Sequence, residues 1–448
     1  MMDVVNKISS FVWGPPTLIL ILGTGLYLTL RLGFFQFRTL PYALKLTFSP
    51  SKQDKKSKGD ISHYQALTTA MAATIGTGNI VGVATAVVLG GPGAVFWMWV
   101  SALFGMATKY AEAVLAVKYR VENSKGQMSG GPMYYLERGL KAKWLGIIFA
   151  IFGSIAAFGI GNMVQSKAVS DALDNSFQVP PIATGIILTL LVGLVILGGI
   201  KGIGRVTAFL VPIMALFYVI GGLVIVFLNL EVVPGVIGLI FTDAFSGSAL
   251  GGGILGTVIR YGVARGVFSN EAGLGSAPIA AAAAKTDYPG RQALVSMTQV
   301  FFDTIIVCSI TAITILMADM YQGDLSGGDL TTASFSMFLG DAGEYIVTIA
   351  IILFAFSTIV GWSYYGEKCF SYLFTDKAIP YYRIVFVLAL LYGSMEKLDI
   401  VWGVSDIMNA LMAVPNLIGL LGLSGVVVYE TKKFLKVAKE EERLAKGR

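Results

Sequence analysis

The stretch Ala72-Ala73-Thr74-Ile75-Gly76-Thr77-Gly78-Asn79 decides how this chain is read. It lies inside an apolar run from 64 to 88, and about 20 apolar residues suffice to cross a bilayer. Gly76 and Gly78 each weaken a helix by about 1 kcal/mol relative to alanine. Thr74, Thr77 and Asn79 offer the backbone other hydrogen-bond partners. A helix that opens here exposes N–H and C=O groups at membrane depth, where lipid supplies no partner. The half-helix before the break presents carbonyls, which suit a cation. The half-helix after it presents N–H groups and a positive dipole end, which suit a carboxylate. Glycine alone is equally explained by close helix packing through small residues. A second interruption, Phe268-Ser269-Asn270-Glu271-Ala272-Gly273-Leu274-Gly275-Ser276, argues against that explanation. Interrupted segments at corresponding positions of two halves mark a secondary transporter with inverted repeats.

The composition agrees. Of 448 residues 55% are hydrophobic and 13% charged, with mean hydropathy +0.73; a soluble domain carries about 25% charged residues. The net charge of +6 is sorted into alternate loops, so it reports topology and not a nucleic-acid partner. Cys308 and Cys369 sit in apolar runs and read as small buried hydrophobes, not as a disulfide or a metal site. The single histidine, His63, reads as a helix-end cap at the interface. The first apolar run is read as a retained span, not a signal peptide.

Eleven spans are predicted, at about 12–31, 64–88, 91–118, 143–170, 182–199, 204–229, 255–284, 290–319, 343–373, 380–396 and 399–430, the last open to a split at Pro415. Basic residues fill alternate connections: Arg31 to Lys58, Lys118 to Lys143, Lys201 with Arg205, Lys285 with Arg291, Lys377 with Arg383, and the C-terminal tail. The intervening connections are poor in them, Lys167 and Lys397 excepted. The positive-inside rule then places the N-terminus outside and the C-terminus in the cytoplasm of a multi-pass plasma-membrane protein. Residues 33–48 read as an in-plane amphipathic segment, 232–249 as a cover over the outer mouth, and 49–60 as a basic loop. With 12–31 set aside as an extra N-terminal helix, 64–229 and 255–430 form two sets of five spans. An odd number forces them to run oppositely through the membrane. The whole of 1–448 is one transmembrane domain, ending in a cytoplasmic tail at 431–448.

Other polar residues at membrane depth are functional candidates. Asn270 is neutral and adjacent to the second break, which suits substrate contact; Phe268 would wall the pocket. Glu271 and Arg265 read either as functional or as a structural pair. Ser357 and Thr358, adjacent hydroxyls deep in an apolar helix, suit a hard cation when carbonyls lie nearby, or else bond back to the preceding turn. Trp362 lies one turn beyond Thr358 on the same face. Gln165 and Asn162 are buried amides. Asp303 is either a relay or an internally paired carboxylate, and Lys109 and Glu112 read as snorkelling toward the cytoplasmic end. No nucleophile triad, phosphate loop or zinc motif occurs, which argues against an enzyme and an ATP-driven pump.

Two signatures, Gly90-Gly91-Pro92-Gly93-Ala94-Val95-Phe96-Trp97-Met98-Trp99-Val100-Ser101-Ala102-Leu103-Phe104-Gly105 and the run Gly266 to Pro278, resemble the alanine or glycine:cation symporter family over essentially the whole chain. The resemblance implies an all-α integral membrane protein with a leucine-transporter-like fold of five-plus-five inverted repeats. It implies sodium-coupled uptake of alanine or glycine by a protein functional as a monomer, with sodium as co-transported ligand and no cofactor. It places sodium on the carbonyls of Ala72, Ile75 and Phe354 and the hydroxyls of Ser357 and Thr358. It places substrate on Gly76, Thr77, Gly78 and Asn79, with Phe268, Asn270 and Trp362 around it. Gln165 joins them as a buried amide able to bond a carboxylate or an amine. The fold's second sodium site takes one amide at the position of Asn79, kept here, and an asparagine in the eighth span, which has none; one sodium per cycle is expected, although Asp303 or Thr304 could substitute. A proton-coupled carrier and a non-concentrating channel or receptor remain the alternatives.

Overall fold

The computed structural model describes residues 2–49, 57–245, 256–396 and 399–446. Residues 50–56 of the basic loop, 246–255 of the outer cover and Lys397 lie outside them. The chain is helical almost throughout. Helices α1 (Met2–Val12), α2 (Pro15–Arg31) and α3 (Phe35–Thr47) precede the first broken segment, α4 (His63–Thr74) and α5 (Val81–Gly90). Then come α6 (Ala94–Lys118), a small hairpin of β1 (Val121–Glu122) and β2 (Met128–Ser129), and α7 (Pro132–Arg138). Helix α8 (Lys143–Phe158) continues through wide turns at 159–163 into α9 (Val164–Phe177). Next are α10 (Pro181–Leu197), α11 (Gly199–Leu228) and α12 (Val233–Ala244). The second broken segment is α13 (Thr257–Asn270) and α14 (Pro278–Ala281). Helix α15 (Pro289–Val300) runs through wide turns at 301–308 into α16 (Ser309–Ala318). The chain closes with α17 (Gly327–Leu339), α18 (Asp341–Phe374), α19 (Ile379–Met395), α20 (Asp399–Gly422) and α21 (Ser424–Lys446).

Among the described residues eight helices are long and apolar enough to span a membrane, nine with the bent pair α4–α5. The two remaining predicted spans fall on α10, of 17 residues, and on the broken segment α13–α14. Helix α20 runs through Pro415 and ends at Gly422, so the last segment breaks seven residues later than proline suggests. The predicted in-plane segment is α3.

Helices from the two halves interleave. Helix α6 packs against α13 and α15, α8 against α18 and α20, α10 against α19, and α4 against α11 and α18. Small residues permit the closest approaches, as expected where lipid removes the hydrophobic drive between helices. A Cβ on Gly361 would come 2.7 Å from the Ala73 nitrogen, so α18 touches the α4 backbone itself. Leu190, Leu194, Leu197, Phe209 and Phe227 stay exposed on α10 and α11, an apolar belt that lipid covers.

One end of the bundle is sealed. Asp60 and Ile61 N–H groups donate to the Ala283 carbonyl at 2.8 and 3.2 Å, and Lys285 N–H donates to the Ile61 carbonyl at 2.8 Å. The Arg120 guanidinium clamps both strands, donating to the carbonyls of Lys58, Ala282 and Ala284. Asp60 accepts the Met128 N–H, and its burial pushes the carboxyl above its usual range, against Lys368, Lys201 and Arg120. At the other end a cavity of about 820 Å³ descends to Val81, Val164 and Arg265.

Candidate functional site

Helix α4 begins on a reciprocal cap: Ser62 Oγ accepts the Gln65 N–H and Gln65 Oε1 accepts the Ser62 N–H. Ser62 is therefore the cap, and not His63, which is buried with Nδ1 2.6 Å from Gln292 Oε1. The helix stops at Thr74, whose hydroxyl bonds back to the Ala70 carbonyl at 3.1 Å. Gly76 is extended, Thr77–Asn79 make one tight turn, and α5 leaves at 60° to α4. The Gly76 N–H, which would have bonded the Ala72 carbonyl, donates instead to Asn79 Oδ1 at 2.9 Å. Among the described residues the N–H groups of Thr77 and Gly78 have no acceptor, although both residues are buried.

Freed carbonyls and hydroxyls meet on the α18 side. Ser357 Oγ lies 3.2 Å from the Ala72 oxygen, 3.5 Å from the Ile75 oxygen and 2.9 Å from the Phe354 oxygen. Thr358 Oγ1 lies 2.9 Å from the same Phe354 oxygen. The five predicted cation ligands thus converge, and the back-bonding expected of Ser and Thr is present as well. A Cβ on Gly76 would sit 2.4 Å from Thr358 Oγ1, so only glycine brings the break this close.

The walls are aromatic. A Cβ on Gly78 would meet Phe268 Cδ1 at 3.4 Å. Phe268 stacks on Trp402 with centroids 6.5 Å apart, and the Arg265 guanidinium carbon lies 5.7 Å from its ring centre. Arg265 and Trp402 also line the large cavity, and Phe268 lies against both of them and against Gly78. Trp362 is buried and packs so tightly on the wide turn of α8–α9 that a Cβ on Gly161 would come 2.4 Å from Trp362 Cβ. Gln165 donates Nε2 to the Ile160 carbonyl at 3.0 Å, while its buried Oε1 has no partner among the described residues. Asn162 is a strut, donating to the Phe386 carbonyl at 2.7 Å.

The second break is built differently. Helix α13 ends at Asn270, Glu271 is left-handed with φ 57°, and Gly273 and Gly275 have φ 95° and 86°. Its free N–H groups already have an acceptor within the chain. Glu112 Oε1 accepts the Gly273 N–H at 3.0 Å and Asn416 Nδ2 at 2.7 Å, with the Gly275 N–H close by. Lys109 Nζ donates to the Glu271 carbonyl at 3.0 Å and lies 3.8 Å from Glu112 Oε2. Both side chains are buried, so the expected snorkelling is corrected: they turn inward because the second break supplies their partners. Glu271 accepts the Ser276 hydroxyl and lies close to Trp362, while Arg265 faces Phe268, so the Arg265–Glu271 pair does not form. Asn270 has both amide atoms engaged internally: Nδ2 donates to Thr304 Oγ1 at 3.0 Å and Oδ1 accepts the Ala272 N–H at 2.9 Å. Its side chain shapes the break, with one N–H and one oxygen lone pair taken by these bonds.

Broken helices with unpartnered backbone groups, enclosed in a bundle of membrane-length apolar helices, define a membrane transporter. Comparison with known proteins agrees. The profile of the sodium:alanine symporter family matches residues 1–446, and the chain belongs to that family. It is 59% identical to the sodium/alanine symporter AgcS of Methanococcus maripaludis, over 99% of each chain. It is 40% identical to the amino-acid carrier protein AlsT of Bacillus subtilis, over 98% of this chain and 93% of that one. The crystal structure of MhsT in complex with L-phenylalanine superposes with TM-score 0.59 at 15% identity, covering 84% of this chain and 99% of that chain, and shows the leucine-transporter-like fold. The protein is a multi-pass membrane transporter and not an enzyme.

Proposed function

We propose that this protein couples sodium influx to uptake of a small neutral amino acid, alanine or glycine, by alternating access. The observation that carries the reading is the first break, where freed carbonyls and unpartnered N–H groups lie side by side. Sodium would sit among Ala72, Ile75, Phe354, Ser357 and Thr358, a hard-oxygen set suited to a hard cation. The substrate carboxylate would take the N–H groups of Thr77 and Gly78, and the unpartnered Gln165 Oε1 would accept from its ammonium. Trp362 and Phe268 would limit the side chain to a methyl group or a hydrogen. Sodium would order the carbonyl side of a segment whose N–H side holds the substrate, so each ligand prepares the site of the other.

In this reading eleven spans, arranged as an extra helix and five plus five in inverted repeat, put the N-terminus outside and the C-terminus in the cytoplasm of a plasma-membrane monomer. The sealed end is then cytoplasmic and the large cavity opens outward. Uptake of labelled alanine into proteoliposomes decides. Accumulation driven by an imposed sodium gradient is expected. Accumulation driven only by a pH gradient, or equilibration without accumulation, overturns it.

A further inference from the structure

Asp303 is a fully buried carboxylate on the wide turns between α15 and α16, and the sodium and substrate sites proposed above do not use it. It touches both broken segments. Oδ1 accepts Asn79 Nδ2 from the first at 2.8 Å, and Oδ2 accepts the Ser269 hydroxyl, next to the second, at 2.8 Å. Oδ2 also accepts Thr304 Oγ1 at 2.9 Å, and that oxygen in turn receives Asn270 Nδ2 at 3.0 Å. The amide of Asn79 is thereby oriented. With Nδ2 turned to Asp303, Oδ1 faces the Gly76 N–H at 2.9 Å. That bond keeps the Gly76 nitrogen off the Ala72 carbonyl and leaves the carbonyl facing Ser357 at 3.2 Å. Thr311 Oγ1 holds the Asn79 carbonyl at 2.8 Å, so the residue is fixed at both ends.

We infer that Asp303 is a positioning residue: its carboxylate ties the two interruptions together and, through Asn79, sets the opened shape of 72–79 on which cation and substrate binding depend. This rests on the sodium and amino-acid reading above. The link is directional. Two acceptor oxygens of residue 303, the carboxylate at 2.8 Å and the backbone carbonyl at 3.3 Å, orient the Asn79 amide with its oxygen toward Gly76. Asp303→Asn leaves one side-chain acceptor oxygen for the three donors Asn79 Nδ2, Ser269 and Thr304, so its amide nitrogen must face one of them, whereas exchanging the groups, Asn79→Asp with Asp303→Asn, restores the pattern. The amide introduced at 303 donates to the carboxylate introduced at 79. The second oxygen of that carboxylate still accepts the Gly76 N–H, and the amide oxygen at 303 still accepts Ser269 and Thr304.

The test is sodium-dependent binding of labelled alanine to the purified full-length protein, with unfolding temperature measured in parallel. Wild-type binding reports on the sodium–alanine reading; the variants report on the link. Each single exchange is expected to raise both the sodium half-saturation and the alanine Kd by about tenfold, the loss of one charge-assisted hydrogen bond. The double exchange is expected to recover most of both. Ser269→Ala, which removes one donor with little change of volume, is expected to cost about threefold and decides the matter where a single exchange does not fold. Wild-type affinities in Asp303→Asn, a double exchange no better than the worse single one, or no effect of Ser269→Ala would overturn the inference.

Discussion

Gly76→Ala tests the proposed cation cage most directly. Gly76 is extended, with φ −139° and ψ −155°, so an alanine adopts its backbone without strain. The whole effect is steric. The new Cβ would lie 2.4 Å from Thr358 Oγ1 and 3.4 Å from Thr358 Cβ, well inside ordinary contact for the first. Turning the threonine away breaks its 2.9 Å bond to the Phe354 carbonyl, at a cost of about 1 kcal/mol. Moving the break instead overpacks a dense region, at about 1–2 kcal/mol. By either route the cost is about 1–2 kcal/mol against the cation-bound arrangement, or a sodium affinity lower by about 5- to 30-fold. Sodium titration of labelled-alanine binding to purified protein reads the shift, and alanine affinity at saturating sodium should change far less. A sodium half-saturation within threefold of wild type, in folded protein, refutes the cage.

The remaining predictions probe the walls, the second break and the sealed end. Trp362→Ala should let larger neutral amino acids compete with alanine uptake, and unchanged selectivity would remove Trp362 from the pocket. Glu112→Gln alters the buried carboxyl that accepts the Gly273 N–H and Asn416 Nδ2 beside Lys109 and should destabilise the fold by about 1–3 kcal/mol, seen as a lower unfolding temperature; no change would mean that the second break holds itself. Burial raises the Asp60 carboxyl above its ordinary 3.8, so the folded protein holds that proton more tightly than the unfolded chain. This contribution is full below the ordinary value and is lost as pH rises through the raised one. Wild type should therefore gain stability relative to Asp60→Asn as pH falls through the acid range, and parallel pH profiles would contradict the assignment. Arg120→Ala removes the clamp on Lys58, Ala282 and Ala284 and should speed hydrogen exchange in 58–61 and 283–285, with exchange elsewhere as the control.

The breaks were legible because glycine, threonine and asparagine are conspicuous in an apolar run, and local sequence is enough to end a helix. Ser357 and Thr358 are equally conspicuous in an apolar helix, and Ser357 Oγ lies beside the Ala72 carbonyl, as the sequence suggests hydroxyls and carbonyls should meet. Residues whose meaning depends on distant partners were not legible. Lys109 and Glu112, three residues apart on one helix, look like charges reaching for an interface, and their partners lie about 160 residues further on, as the Lys109–Glu271 contact shows. Asn270 looks like a ligand group because it is neutral and beside a break, yet Thr304 and Ala272 take its amide. Pro415 looks like a break, but α20 continues through it, and the next residue, Asn416, is held by Glu112 and the Gly273 carbonyl. Gly161 and Gly361 carry no sign in the sequence that one meets Trp362 and the other Ala73.

Glu112 gives the two interruptions different lives. At the second, the chain supplies its own carboxyl acceptor, covalently attached and present whether or not a substrate is near. At the first, on the proposed reading, the equivalent demand is met by a substrate that arrives and departs. One opened helix is therefore a permanent fixture and the other a lock with a removable key. Only the second of these can change its hydrogen-bonding state with each turnover, and a ligand acting there has a rigid counterpart to work against.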